Sequence, residues 1–188
     1  LPGQETTSPP ETRFKYSNLA VAIAGEVVSA VSGQTYEEYV HSRILAPLGM
    51  VSTSVSLPDS QRRRLAAGYT RRLPGVEREI TPFTDSDAIA PAANLSSTVE
   101  DLARFISLQF GDSPAGGRQI LKGSSLREMH RPHWVFPDWS GARGLGFEVY
   151  RHPGRTLVGH GGHVAGYRTQ IVFSPDERIG AVVLTNAS

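Results

Sequence analysis

The chain contains no cysteine. That excludes disulfides, a thiolate metal site and a cysteine nucleophile. It leaves the redox compartment open, because a domain of this size needs no covalent staple. Lysine is nearly as scarce: Lys15 and Lys122 are the only two among nineteen basic residues, and the rest are arginines. Eighteen acids almost cancel them, for a formal net charge of +1 over 188 residues. So mild a balance gives no reason to expect a nucleic-acid partner. No apolar run reaches the ~18 residues that a membrane-spanning helix requires, and no signal peptide opens the sequence. Repeats and heptads are missing too. What is present, 39% hydrophobic residues in a chain of this length, predicts one soluble globular domain with a real core. The compartment stays undetermined.

Residues 1–15 read as a linker or loop, with three prolines and hardly any apolar content in the first thirteen positions. Residues 16–140 read as a helical region. Leu19, Ile23, Val27, Val28 and Val31 recur at helical spacing up to Gly33, and this face is apolar nearly all round, which predicts a buried helix. A second helix starts at the capping box Thr35-Tyr36-Glu37-Glu38 and runs to Pro47. Between Ser52 and Ala93 the pattern is irregular, with brief strands expected around 67–72 and 77–81. A second capping box, Ser97-Thr98-Val99-Glu100, opens a helix that carries Leu102, Phe105, Ile106 and Phe110 and ends at Gly111. A shorter helix covers 125–130. Trp134, Phe136 and Trp139 are expected to cover the core, the alternative being that they line a cleft in a longer protein. Residues 141–188 read as antiparallel strands: 144–151, 155–159, 167–173 and 179–184. Helices first and strands later predict an α+β, mixed layered fold.

Two motifs could carry chemistry. Tyr16-Ser17-Asn18 stands where a helix begins. A tyrosine there can move a proton if neighbouring cations lower its pKa, or Ser17 and Asn18 simply cap the helix. Gly159-His160-Gly161-Gly162-His163 lies among the strands. Its glycines suit close approach by a substrate, and a strand edge can aim an N–H group at a developing oxyanion; alternatively it is a glycine-rich hairpin loop with surface histidines. His160 with His163, and His130 with His133, have a His-x-x-His spacing, but no third ligand completes either, so no metal is expected. Arg62-Arg63-Arg64 and Arg71-Arg72 read as a solvated loop face.

In this order and with these flanks, the motifs resemble the serine β-lactamase and penicillin-binding-protein superfamily, in particular class C-like β-lactamases, DD-peptidases and related esterases. Phe14-Lys15-Tyr16-Ser17-Asn18 matches that family's Tyr-x-Asn motif. His160-Gly161-Gly162 matches its third motif, usually Lys-Thr-Gly. Ile44 to Met50, Ala93 to Thr98, Asp101 to Phe105, Gly144-Leu145-Gly146-Phe147 and Leu184-Thr185-Asn186 resemble further recurrent blocks. The resemblance implies a β-lactamase-like fold and a small-molecule or peptide ester, amide or lactam substrate, with no cofactor. It also implies roles. Tyr16 would share proton transfer, Asn18 would orient the substrate, and His160 would hydrogen-bond in the cleft. The backbone N–H of His163 would be one oxyanion-hole donor, with Gly161, Gly162 and Arg168 binding substrate.

The departure is the family's first motif. Positions 12 and 119, three before each lysine, hold Thr12 and Gln119, so the chain has no Ser-x-x-Lys and no nucleophile. Thr12-x-x-Lys15 sits in the linker, against Tyr16, and is a poor candidate. The chain is therefore expected to be the middle-to-late part of a longer hydrolase and inactive alone. An unpaired sheet edge is expected to drive self-association or to be covered by a complementary N-terminal segment. His for Lys at position 160 favours an esterase or peptidase over an efficient β-lactamase, because an ordinary imidazole (pKa about 6.5) is mostly neutral at pH 7. Arg168, close in sequence, is an alternative source of that charge. The competing reading is a non-catalytic binding or structural module that keeps the fold without the chemistry.

Overall fold

In the computed structural model, residues 3, 5, 8–111 and 118–187 are described. Helices α1 (Asn18–Ser32), α2 (Tyr36–Val40), α3 (Ala46–Leu48) and α4 (Asp59–Arg62) come first. A two-stranded hairpin, β1 (Gly68–Tyr69) with β2 (Ile80–Thr81), interrupts them before α5 (Ala90–Ala93), α6 (Val99–Leu108) and α7 (Gly123–His130). The rest is one antiparallel meander. Its order is β3 (Trp134–Val135), β4 (Ala142–Arg143), β5 (Glu148–His152), β6 (Arg155–Val164), β7 (Tyr167–Ser174) and β8 (Ile179–Thr185). The α+β, mixed layered expectation holds. Among the described residues no helix is long and apolar enough to cross a membrane.

The local signals explain most helix ends. The Ser17 hydroxyl accepts from the Ala20 N–H at 3.2 Å and caps α1. Gly33, at φ 69°, closes that helix in the left-handed conformation that glycine tolerates best. Thr35 and Glu38 form the predicted reciprocal capping box. The helical run from α2 does reach Pro47, but through an unpredicted π-helical stretch, His41–Leu45. The cap of α6 is Thr98 rather than Ser97: Thr98 accepts from the Asp101 N–H at 3.3 Å. Ser97 is occupied elsewhere, its hydroxyl lying 2.7 Å from that of Thr53. The buried Asp101 carboxylate in turn accepts from the Ser52 N–H and the Thr53 hydroxyl, tying the loop after α3 to α6.

Four further expectations need correction. Helix α1 is not buried: Leu19, Ile23, Val27 and Val31 are exposed, Val31 by 84%, and only Ala22 and Gly25 are covered. Its main contacts are with α2, α5 and the 87–89 turn, so one small-residue line is packed, Val28 is half-buried, and Leu19, Ile23, Val27 and Val31 stay exposed among the described residues. Residues 144–151 are not one strand. Gly144 donates to the Phe147 carbonyl at 2.9 Å and Gly146 takes φ 78°, making a turn between β4 and β5. Strand β6 does not stop at Gly159 but runs through the glycines to Val164. Trp139, 83% exposed, covers no core.

Two clusters form that core. Val40, Leu45, Leu48, Met50, Val55, Leu108 and Leu126 join the helices to one another. Ile106, Phe147, Val158 and Phe173 join α6 to the sheet. Each such side chain contributes about 1.5–3 kcal/mol when fully removed from water. Gly180 is needed here, since a Cβ would come within 2.6 Å of Ile106. Strand β8 is the edge of the sheet. Among the described residues its outer side meets the Tyr69–Ala187 bridge and the Asn186 contacts with 67–69, while Ile179 and Val183 stay exposed. The expected open edge is present among the described residues.

Candidate active site

Strand β6 is paired on both sides only as far as Gly159, which stands opposite Glu148, the first residue of β5. From His160 to Val164 it pairs with β7 alone, so its other backbone edge faces no strand among the described residues. The half-buried His160 opens that stretch. Tyr16 reaches it from the start of α1: the two rings lie 6.4 Å apart, centroid to centroid, inclined at 30°. The tyrosine is 53% exposed, and its hydroxyl makes no hydrogen bond found among the described residues. Two motifs far apart in the chain thus meet at the corner where β6 leaves β5. Asn18, also exposed, opens α1 two residues further on.

The pleat sorts the remaining candidates. Side chains alternate between faces along a strand, so His160 shares a face with Val158 and Gly162, while Gly161 and His163 point the other way. The register places His163 opposite Arg168 and Gly161 opposite Gln170. His163, Arg168, Gln170 and Thr185 line an open groove of about 370 Å³ on that second face. Arg168 therefore does not stand beside His160, as expected from sequence proximity; it lies across the sheet from it. The same alternation separates His160 from His163, so the pair cannot grip one ion from one face. Of the other pair, His130 is engaged with Gln109 at 3.1 Å and His133 with the Glu128 carbonyl at 3.0 Å. Among the described residues no cluster of three metal-ligating side chains occurs. Thr12 donates its hydroxyl to the Pro9 carbonyl at 2.7 Å within a turn, which fits a loop residue.

Sequence reasoning passed over the charged group at this corner. The Glu148 carboxylate pairs with Arg143 and accepts the Tyr150 hydroxyl. Burial works against its ionisation, but the hydrogen bonds from Tyr150 and Arg143, with the charge of Arg143, hold it below the usual carboxylate range. Burial, the bond to Glu148 and the glutamate's charge together push the Tyr150 phenol up to about 12. A signal was present in the sequence: Glu148 directly follows the Gly144–Phe147 block, and a two-glycine turn returns it to Arg143.

A family model described as Beta-lactamase matches residues 3–188. The chain is 28% identical to an unguisins hydrolase of Aspergillus campestris over 193 residues, which is 98% of this chain and 35% of that protein. It is 30% identical to putative beta-lactamase-like 1 of Homo sapiens, over 93% of this chain and 34% of that protein. Among solved structures, the octameric penicillin-binding protein homologue from Pyrococcus abyssi superposes with TM-score 0.80 at 27% identity, covering 96% of this chain and 40% of that one. The D-amino acid amidase of Ochrobactrum anthropi SV3 gives 0.76 at 27%, covering 96% and 52%. The chain thus spans about a third of the length of these curated relatives and about half or less of these structures. With its layers, its meander and its matched length in agreement, this chain belongs to the β-lactamase family, on the fold of the penicillin-binding proteins.

Proposed function

We propose that this chain supplies the tyrosine and the third-motif strand of a serine hydrolase that cleaves an ester, amide or lactam through an acyl-enzyme. The reading rests on one observation, the Tyr16 ring set beside His160 where β6 loses its neighbour. A carbonyl substrate laid along that free edge would meet both groups. In the proposed reaction a serine hydroxyl from a Ser-x-x-Lys segment attacks the carbonyl carbon, and its proton passes to Tyr16 or the lysine. The same groups return it to the leaving oxygen or nitrogen, and water then cleaves the acyl-enzyme. Asn18 orients the substrate and His160 hydrogen-bonds in the cleft. The His163 N–H is one oxyanion donor, and Gly161 and Gly162 permit close approach. Arg168, across the sheet, is left without a role beside His160. The related D-amino acid amidase favours amides among the candidate substrates.

The serine must come from outside these residues, from a complementary N-terminal segment or a second polypeptide. The missing Ser-x-x-Lys supports the competing reading of a non-catalytic module. One experiment separates them. The 188-residue chain and the product of its complete open reading frame are assayed on p-nitrophenyl esters, D-amino acid amides and nitrocefin. The enzyme reading expects hydrolysis by the complete product alone, falling roughly 10²–10⁴-fold in Tyr16→Phe. A complete product with no Ser-x-x-Lys, no copurifying polypeptide that carries one and no turnover would establish the module instead.

A further inference from the structure

Tyr16 lies outside the helix it precedes, is half exposed, and has no hydrogen bond on its hydroxyl among the described residues. Its place over His160 must then be set by the chain on either side. On one side Ser17 caps α1. On the other stands Phe14, packed against two residues of the sheet region. Its ring meets that of Phe136, just beyond β3, edge to face at 6.0 Å. The Arg143 guanidinium, from β4, lies over both rings, 5.4 Å from the centre of Phe14 and 5.5 Å from that of Phe136. Arg143 is held in turn by Glu148 of β5, and only 23% of either side chain is exposed. A guanidinium packed against both rings and paired with a carboxylate has little freedom to move.

We propose that Phe14, Arg143 and Phe136, with Glu148 as counter-ion, form a clamp that positions Tyr16 over His160. Phe14 and Arg143 are then positioning residues, acting through the tyrosine and touching no substrate. What the clamp does for catalysis rests on the proton-transfer role proposed for Tyr16, but the clamp itself can be tested without turnover. The segment before the helix thereby becomes more than a linker, because it is anchored to the sheet at the residue that decides where the phenol sits.

The test uses the isotope-labelled 188-residue chain and reads the nuclear Overhauser effect between the Tyr16 and His160 rings. The buried His130 ring, boxed by Phe147 and Phe173 in the other cluster, reports whether the fold survives. In Phe14→Leu, which keeps apolar volume and loses the ring face, the Tyr16–His160 effect is expected to disappear while the His130 signals stay. Phe14→Tyr, which restores a ring under the guanidinium, is expected to recover it. Phe136→Leu leaves the segment before Tyr16 untouched and is expected to weaken it. An undiminished effect in Phe14→Leu, or its equal loss in Phe14→Tyr, overturns the clamp. Should Phe14→Leu unfold, Phe136→Leu decides: an effect kept at full strength overturns the proposal, and one reduced beside intact His130 signals supports it. Failure here leaves the hydrolase reading standing, because that is judged by the Tyr16→Phe activity of the complete product.

Discussion

Helices α1 and α6 make an instructive pair. Helix α1 is the more apolar of the two along its length, yet it buries only Ala22 and Gly25. Helix α6 alternates acids and arginine with a narrow apolar stripe, and it buries Asp101, Ile106 and Leu108. Hydrophobic content therefore did not decide burial. What decided it is a partner: α6 lies on β7 and β8, with Gly180 letting Ile106 in, whereas α1 meets α2, α5 and the 87–89 turn along one thin line. The stability of the chain should follow the partner and not the pattern.

The largest effect expected from that difference is in the core of α6. Ile106→Ala should cost about 2–5 kcal/mol in urea unfolding, the range for emptying a buried aliphatic site. A cost under about 0.5 kcal/mol, the level of a bare surface position, would erase the distinction between the two helices. Asp101→Ala comes next. It leaves the Ser52 N–H and the Thr53 hydroxyl without their acceptor, at about 1–3 kcal/mol for a buried group unpaired; Asp101→Asn, which keeps one acceptor oxygen, should recover part of it.

The C-terminal end of α6 gives a pH test. Gln109 caps that end and binds the buried His130, whose imidazole burial holds below its ordinary pKa. The folded chain then binds fewer protons than the unfolded one in the mildly acid range. The contribution of His130 is complete above about pH 6.5, the unfolded value, and is lost as pH falls through that value towards the folded one. Melting temperature should drop between pH 7.5 and 5.5, and His130→Asn should flatten that drop while lowering stability throughout. A wild-type melting curve insensitive to pH over this interval would contradict the assignment. The smallest effect belongs to α1: Val31→Ala, at a position 84% exposed, should change stability by less than about 0.5 kcal/mol in the same urea assay.

Several features were open to reading from residues alone. The capping box at Thr35, the glycine stop at Gly33, strands β7 and β8 and the two motifs all depend on neighbours a few residues away, and each lies close to where the pattern put it. The errors share a cause. Ser97 and Thr98 are both eligible caps, each with an acid three residues on, and the choice fell to Thr53, which claims the Ser97 hydroxyl from another part of the chain. Gly144–Arg151 looked like a strand because periodicity cannot register the turn that Gly144 and Gly146 make between β4 and β5. Arg168 was placed beside His160 by counting along the chain. Once Ala165-Gly166 is recognised as the two-residue turn between Val164 and Tyr167, pairing sets Arg168 opposite His163, and the period of two sends it to the other face.

By itself, then, the sequence determined the longer helices and strands and their order, and that a tyrosine motif and a glycine-rich strand motif of one family are both present without their serine. Those are consequences of local interactions: caps, turns and periodicity act between residues that are near one another in the unfolded chain as well. Only the tertiary structure decided that Tyr16 meets His160, that Arg168 does not, and that Phe14 packs against Arg143 and Phe136. Such juxtapositions depend on strand register, on the face each pleat assigns and on which helix finds a surface to lie against. They are settled by packing across the whole sheet, and no short stretch of residues encodes them.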